Sequence, residues 1–133
     1  MKILCIDDEK LFLLSTKKAL TDIGYEVRTA NCIEEGIMAF NTFEPDLVLL
    51  DMNMPEMSGN NMEECTGTEV VKYIRMFLRR STPILVVSGN TDLSVKIKNL
   101  EMGINDYLHK PLSNSELLYK TVKTIGNPQR TAV

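Results

Sequence analysis

The stretch PDLVLLDMNMPEMSG, residues 45–59, decides how the rest of the chain is read. Leu47 to Leu50 form an apolar run too short for a helix and long enough for a strand buried on both faces. The run ends on a carboxylate, Asp51. A charge at the end of a buried strand is costly unless something beyond the strand uses it. The polar, glycine-containing segment that follows marks a loop.

Short apolar runs and helix-length patterns alternate outward from this point. Residues 2–6 (KILCI) read as a buried strand, followed by a helix from about Glu9 to Ile23 with Leu11, Leu14, Ala19, Leu20 and Ile23 near helical spacing and Gly24 as its stop. Residues 25–30 (YEVRTA) alternate as an edge strand does. Asn31 with Glu34 has capping-box spacing and opens a helix to about Thr42. After the strand at 46–50, a helix is expected over Thr68–Arg80, a strand at ILVVS after Pro83, and a helix over Asp92–Glu101 ended by Gly103. A strand follows at 106–109, then a helix opened by Ser113 with Glu116 and closed by Gly126. Five strands and five helices in strict alternation imply parallel pairing and right-handed crossovers, with helices on both faces: a doubly wound, three-layer α/β fold.

Length and composition set the outer bounds. A chain of 133 residues makes one domain able to bury a full core. The net charge of −3 argues against nucleic acid as a partner of this domain. No apolar run approaches the roughly 20 residues a membrane span needs, and no signal peptide is read at the start, so the expected location is cytoplasmic. Cys5, Cys32 and Cys65 lack metal-site spacing, and Cys5 reads as a small buried hydrophobe. Arg75, Arg79 and Arg80 read as a solvated helix face, and His109 as a surface residue.

In an open α/β sheet, ligands sit beyond the carboxyl ends of the strands, where the strand order reverses. At those ends this chain places Asp7 and Asp8, Asp51, Ser88, and Lys110 with Pro111. Two like charges ~4 Å apart cost about 4 kcal/mol at an effective dielectric near 20, and one lysine cannot offset three carboxylates. An all-oxygen cluster suits a hard divalent ion, Mg²⁺ above all. A carboxylate beside Mg²⁺, an ammonium and a hydroxyl is equipped to accept a phosphoryl group.

The segments ILCIDDE, LVLLDMNMPEMSG, PILVVSG and DYLHKPL, in this order, resemble the receiver domain of two-component response regulators over about residues 2–125. The resemblance implies a flavodoxin-like sheet of order 2-1-3-4-5. It implies that Asp51 is the phosphoacceptor, that Asp8 binds Mg²⁺ directly with Asp7 acting through water, and that Asn53 lends the metal a backbone carbonyl. It further implies that Ser88 and Lys110 meet the phosphoryl oxygens, that the Lys110–Pro111 bond is cis, and that Tyr107 turns inward when Ser88 moves. The face formed by the helix over 92–101, the strand over 106–109 and the last helix would then be re-aimed toward an output domain or protein. The phosphodonor would be a sensor histidine kinase or a phosphotransfer protein, with a homodimer left open. The domain would not be an enzyme in the turnover sense, catalysing only its own phosphorylation and slow hydrolysis.

The chain departs from the family pattern at residues 60–67 (NNMEECTG), an insertion that brings Met62 and Cys65 near Met57 beside the site. Either Gly59 or Gly67 is eligible for the family's usual glycine. The expected organisation is a receiver domain over 1–126, with 127–133 a tail or the start of a linker; Met1, so close to the first strand, reads as a native start. The competing reading is a pseudo-receiver, an interaction module not controlled by phosphorylation. A flavin carrier would want a phosphate-binding loop where the acidic DDEKLF stands, and a dehalogenase-like phosphatase would want an aspartate at position 53, where Asn53 stands.

Overall fold

The computed structural model describes residues 1–52, 67–89 and 101–128. Five strands form one parallel sheet: β1 (Lys2–Ile6), β2 (Glu26–Ala30), β3 (Leu47–Leu50), β4 (Ile84–Ser88) and β5 (Asp106–His109). Their order is β2-β1-β3-β4-β5, as expected. The sheet thus winds one way from β1 to β2 and the other way from β3 to β5, and its switch point lies between β1 and β3. Cα pairing of Ile6 with Leu50 brings the ends of β1 and β3 level, while Leu50 pairs with Val86, so β4 runs on past them to Ser88.

Strand alternation divides the core in two. Leu4, Ile6, Val48, Leu50, Ile84 and Val86 face one side, where Phe40 of α2 (Ile33–Phe43) and Val70 and Ile74 of the third helix cover them. Ile3, Cys5, Leu47, Leu49, Leu85 and Val87 face the other, under Leu13 and Leu20 of α1 (Lys10–Asp22) and Leu117 of α4 (Asn114–Ile125). All four β3 residues are buried, at about 1.5–3 kcal/mol for each large apolar side chain. Of the helix expected over 92–101, residues 92–100 fall outside the described residues and Glu101 is helical.

Several local expectations shift. Gly24 follows α1 at φ 115°, the stop its sequence position promised. On α1, however, Leu13, Thr16 and Leu20 are the buried stripe, while Leu11 and Leu14 are 79% and 66% exposed. The N-cap of α2 is Cys32, not Asn31, and Glu35, one turn into the helix, accepts from the Asn31 N–H at 2.9 Å in place of Glu34. Ser113 caps α4 as expected, its Oγ accepting from the Glu116 N–H at 3.1 Å. The third helix, α3 (Thr68–Lys72), widens into a π-helical segment over Tyr73–Phe77 and ends before Arg80, with Arg79 at φ 55°.

Candidate functional site

The backbone carries the acidic residues to one edge of the sheet. The Asp7 N–H donates to the Ala30 carbonyl and the Asp51 N–H to the Ile6 carbonyl, both at 3.0 Å, so each aspartate leaves its strand still held by the ladder. The Lys110 N–H donates to the Ser88 carbonyl at 3.0 Å, which brings the β5 end alongside β4. The Lys110–Pro111 bond is cis.

Lys110 crosses the gap between the aspartates. Its Nζ lies 2.7 Å from Asp7 Oδ2, 3.7 Å from Asp51 Oδ2 and 3.6 Å from Glu9 Oε1, and stands 4.4 Å from the centre of the Phe12 ring. Asp7 is 1% exposed and also accepts the Glu9 N–H at 2.8 Å. Burial, opposed by the hydrogen bonds from Lys110 and Glu9, pushes the Asp7 carboxyl up to about 6. Burial alone would lower the Lys110 ammonium; Asp7, Asp51 and Glu9 outweigh it and hold the group above its ordinary value, fully charged.

Asp7, Asp8 and Asp51 can each place one carboxylate oxygen within 4.8 Å of the other two. Asp7 and Asp51 are buried and Asp8 is exposed, so the cluster opens to solvent on the Asp8 side. Its donors are all oxygen, and among the described residues four carboxylates, counting Glu9, face one ammonium. That donor set and charge balance fit a hard divalent cation. Ser88 is fully buried at the end of β4. Tyr107 is half-buried on β5, paired with Val86, and meets the edge of His109 at 5.3 Å between ring centres. His109 is half-buried rather than at the surface, with its Nδ1 enclosed.

The structure therefore gathers Asp7, Asp8, Asp51 and Lys110 into one cluster and sets Ser88 at the adjoining strand end. Asn53 lies outside the described residues, as do Gly59, Met57, Met62, Cys65 and all of the insertion except Gly67. Two contributors went unread in the sequence. Glu9 caps α1 and Phe12 lies on its first turn, three residues on, so both reach Lys110 at the same edge. Of the two candidate glycines, Gly67 packs against the end of β3, its N–H donating to the Met52 carbonyl at 2.8 Å.

Comparison with known proteins agrees with this geometry. The family model of the response regulator receiver domain matches residues 3–122. The chain is 30% identical over 118 residues to the cell cycle transcriptional regulator CtrA of Caulobacter vibrioides and 33% identical to the cell cycle response regulator CtrA of Brucella ovis. Each match covers 89% of this chain but 47% of the relative, so the chain spans about half the length of these curated relatives. Among solved structures it is similar to a CheY-like receiver domain protein from Methanospirillum hungatei (TM-score 0.81, 29% identity, 93% and 92% of the two chains). It is also similar to the chemotaxis protein CheY4 of Vibrio cholerae (TM-score 0.81, 31% identity, 92% and 97%).

Proposed function

The chain belongs to the response regulator receiver domain family, and on that premise we propose that it accepts a phosphoryl group on Asp51 and passes the event on as a change of conformation. The observation that carries this reading is the placement of Asp51, 7% exposed at the sheet's switch point, with the Lys110 ammonium 3.7 Å from its Oδ2. A carboxylate oxygen in such a cluster can act as a nucleophile.

In the proposed step an Asp51 oxygen attacks phosphorus on a phosphohistidine of a sensor kinase or phosphotransfer protein. The P–O bond forms as the P–N bond breaks, and the departing imidazole leaves neutral after taking a proton from solvent. Asp8 and Asp51, with Asp7 behind them and the Asn53 carbonyl, would hold Mg²⁺, which when bound supplies positive charge against the phosphoryl oxygens. Lys110, already charged, would swing part of its attraction from Asp7 to the new phosphoryl group. Ser88 would donate its hydroxyl to a phosphoryl oxygen, and Tyr107 would follow into the space this opens. The domain turns over no substrate of its own; it carries the group until hydrolysis. Exposed Leu11 and Leu14, on the helix that begins at the acidic cluster, would offer the donor apolar contact.

The test is incubation with acetyl phosphate, with and without Mg²⁺, read by intact mass beside Asp51→Asn. A Mg²⁺-dependent gain of one phosphoryl group, lost in the variant, is the expected result. Absence of any gain in a folded sample would replace this reading with that of a phosphorylation-independent interaction module.

A further inference from the structure

The three arginines read from sequence as a solvated face are solvated, Arg79 and Arg80 exposed and Arg75 half-buried, and they also line one pocket at the opposite end of the sheet from Asp51. Arg75, Arg79, Arg80, Ser81, Gly103 and Asn105 line a surface cavity of about 420 Å³, within the roughly 300–1,000 Å³ range of small-molecule sites. Asn105 fixes its position: its N–H donates to the Ile84 carbonyl at 2.8 Å and its Oδ1 accepts from the Ile84 N–H at 2.9 Å, at the start of β4. The length of β4, about 3.3 Å per residue, separates the pocket from Ser88 and the acidic cluster.

The charges here are not balanced. Arg75 is half-buried and donates from Nε to the Gly103 carbonyl at 3.0 Å, from Nη1 to the Arg80 carbonyl at 2.9 Å, and from Nη2 to Asn105 Oδ1 at 3.4 Å. All three acceptors are neutral, so its geometry is locked while its charge meets no carboxylate among the described residues. Burial pulls the guanidinium below its ordinary value, as expected for a cation drawn from water without a counter-ion. Arg80 pairs with Glu44 at 3.3 Å. Arg79 makes no ion pair among the described residues, and it stands at φ 55°, a left-handed position that favours glycine. Among the described residues, three guanidiniums against one carboxylate leave a surplus of two positive charges around a cavity that also holds a hydroxyl.

We propose that this pocket binds the phosphate group of a small phosphomonoester, with Arg79 and the two unused N–H groups of Arg75 as its principal donors. A phosphate dianion matches the surplus charge, whereas a single carboxylate would leave half of it uncompensated. Guanidinium is suited to this role because its planar fork engages two phosphate oxygens at once. The domain's net charge of −3 disfavours a nucleic-acid backbone as the source of the phosphate. The site is independent of phosphoryl acceptance at Asp51.

The test is calorimetric titration of the full chain, without Mg²⁺, with glycerol 3-phosphate, and with chloride at matched ionic strength. Arg79→Gly is the decisive variant, because glycine suits the left-handed backbone and removes only the side chain. Saturable binding of glycerol 3-phosphate that weakens about tenfold or more in Arg79→Gly, with the melting temperature kept, is the expected result. Arg79→Lys should recover part of the affinity. No saturable binding, equal binding by the glycine variant, the same heat with chloride, or binding of a thymidine oligonucleotide in place of the small ester would each overturn the proposal. Asp51→Asn should bind as the parent does, and Arg79→Gly should still take up phosphoryl from acetyl phosphate. Failure at one end of the sheet is therefore distinguishable from failure at the other.

Discussion

An ideal Cβ built on Gly67 would stand 2.6 Å from the Asp51 carbonyl oxygen and 3.0–3.1 Å from Leu50 Cγ and Cδ1. The backbone of Gly67 is ordinary, at φ −62°, so its need for glycine comes from the close approach and not from conformation. The atom in the way belongs to the backbone of the proposed acceptor, which a side-chain rotation cannot clear. Gly67→Ala is expected to destabilise the fold by about 1–3 kcal/mol, the usual range for an overpacked core. It should also slow acetyl phosphate uptake, because the same displacement moves Asp51. Urea denaturation and a phosphorylation time course check the two effects; a variant matching the parent in both would mean that α3 shifts freely away from β3. Lys110 presents a related constraint: one ammonium serves Asp7, Asp51 and Glu9, and at 2.7 Å Asp7 holds it most closely.

At the scale of elements, α1 has two jobs on two arcs. Leu13, Thr16 and Leu20 pack against the sheet, and Leu11 and Leu14 lie on the nearly opposite arc in solvent. Two leucines held in water on the helix that starts at the cluster contribute nothing to this chain's own core. If they receive the phosphodonor protein, Leu14→Asp should reduce transfer from a phosphorylated partner by about tenfold or more, the cost of one desolvated anchor at an interface. Uptake from acetyl phosphate, which needs no docking, should be unchanged, and stability should move by no more than about 0.5 kcal/mol, as for an exposed position. Equal loss with both donors would place the effect in the chemistry and not in the surface. The third helix departs from α geometry in a different way. Its π segment over Tyr73–Phe77 includes Arg75, and the chain leaves it through Arg79 in the left-handed region, so the same irregular turn shapes the arginine pocket.

For the whole molecule, the dominant tension is electrostatic. Two halves of an apolar core converge on a sheet edge where Asp7, Asp8, Asp51 and Glu9 meet one lysine. Anything that binds this arrangement in the folded state only will stabilise the fold by mass action, about 2.7 kcal/mol at a hundredfold excess over Kd. Mg²⁺ is therefore expected to raise the melting temperature of the parent in a saturable way, and Asp8→Asn to weaken that response. Ca²⁺ or Na⁺ at the same ionic strength distinguishes site binding from screening. A melting temperature indifferent to Mg²⁺ would remove the metal from the proposed function. Among the described residues no helix is long and apolar enough to cross a membrane.

The sheet and the acidic edge were legible in the amino-acid sequence for a physical reason. A strand buried on both faces must be apolar throughout, so LVLL and ILVVS identify themselves, and the residue after such a strand has one place to be, at its end. Asp7, Asp51, Ser88 and Lys110 are positioned by that logic alone, and Ser113 and Gly24 by equally local backbone needs. Helix faces are another matter. Hydrophobic spacing offers α1 two apolar arcs, and only contact with residues far along the chain selects the one bearing Thr16 over the one bearing Leu11 and Leu14. The choice of Gly67 depends on how near α3 comes to β3. The preference of Lys110 for Asp7 depends on which carboxylate is buried, and the convergence of Arg75, Arg79 and Arg80 depends on where the third helix loses its α geometry. Local pattern determined which elements form and which groups stand at their ends; distances between elements, set by packing, decided which of those groups meet.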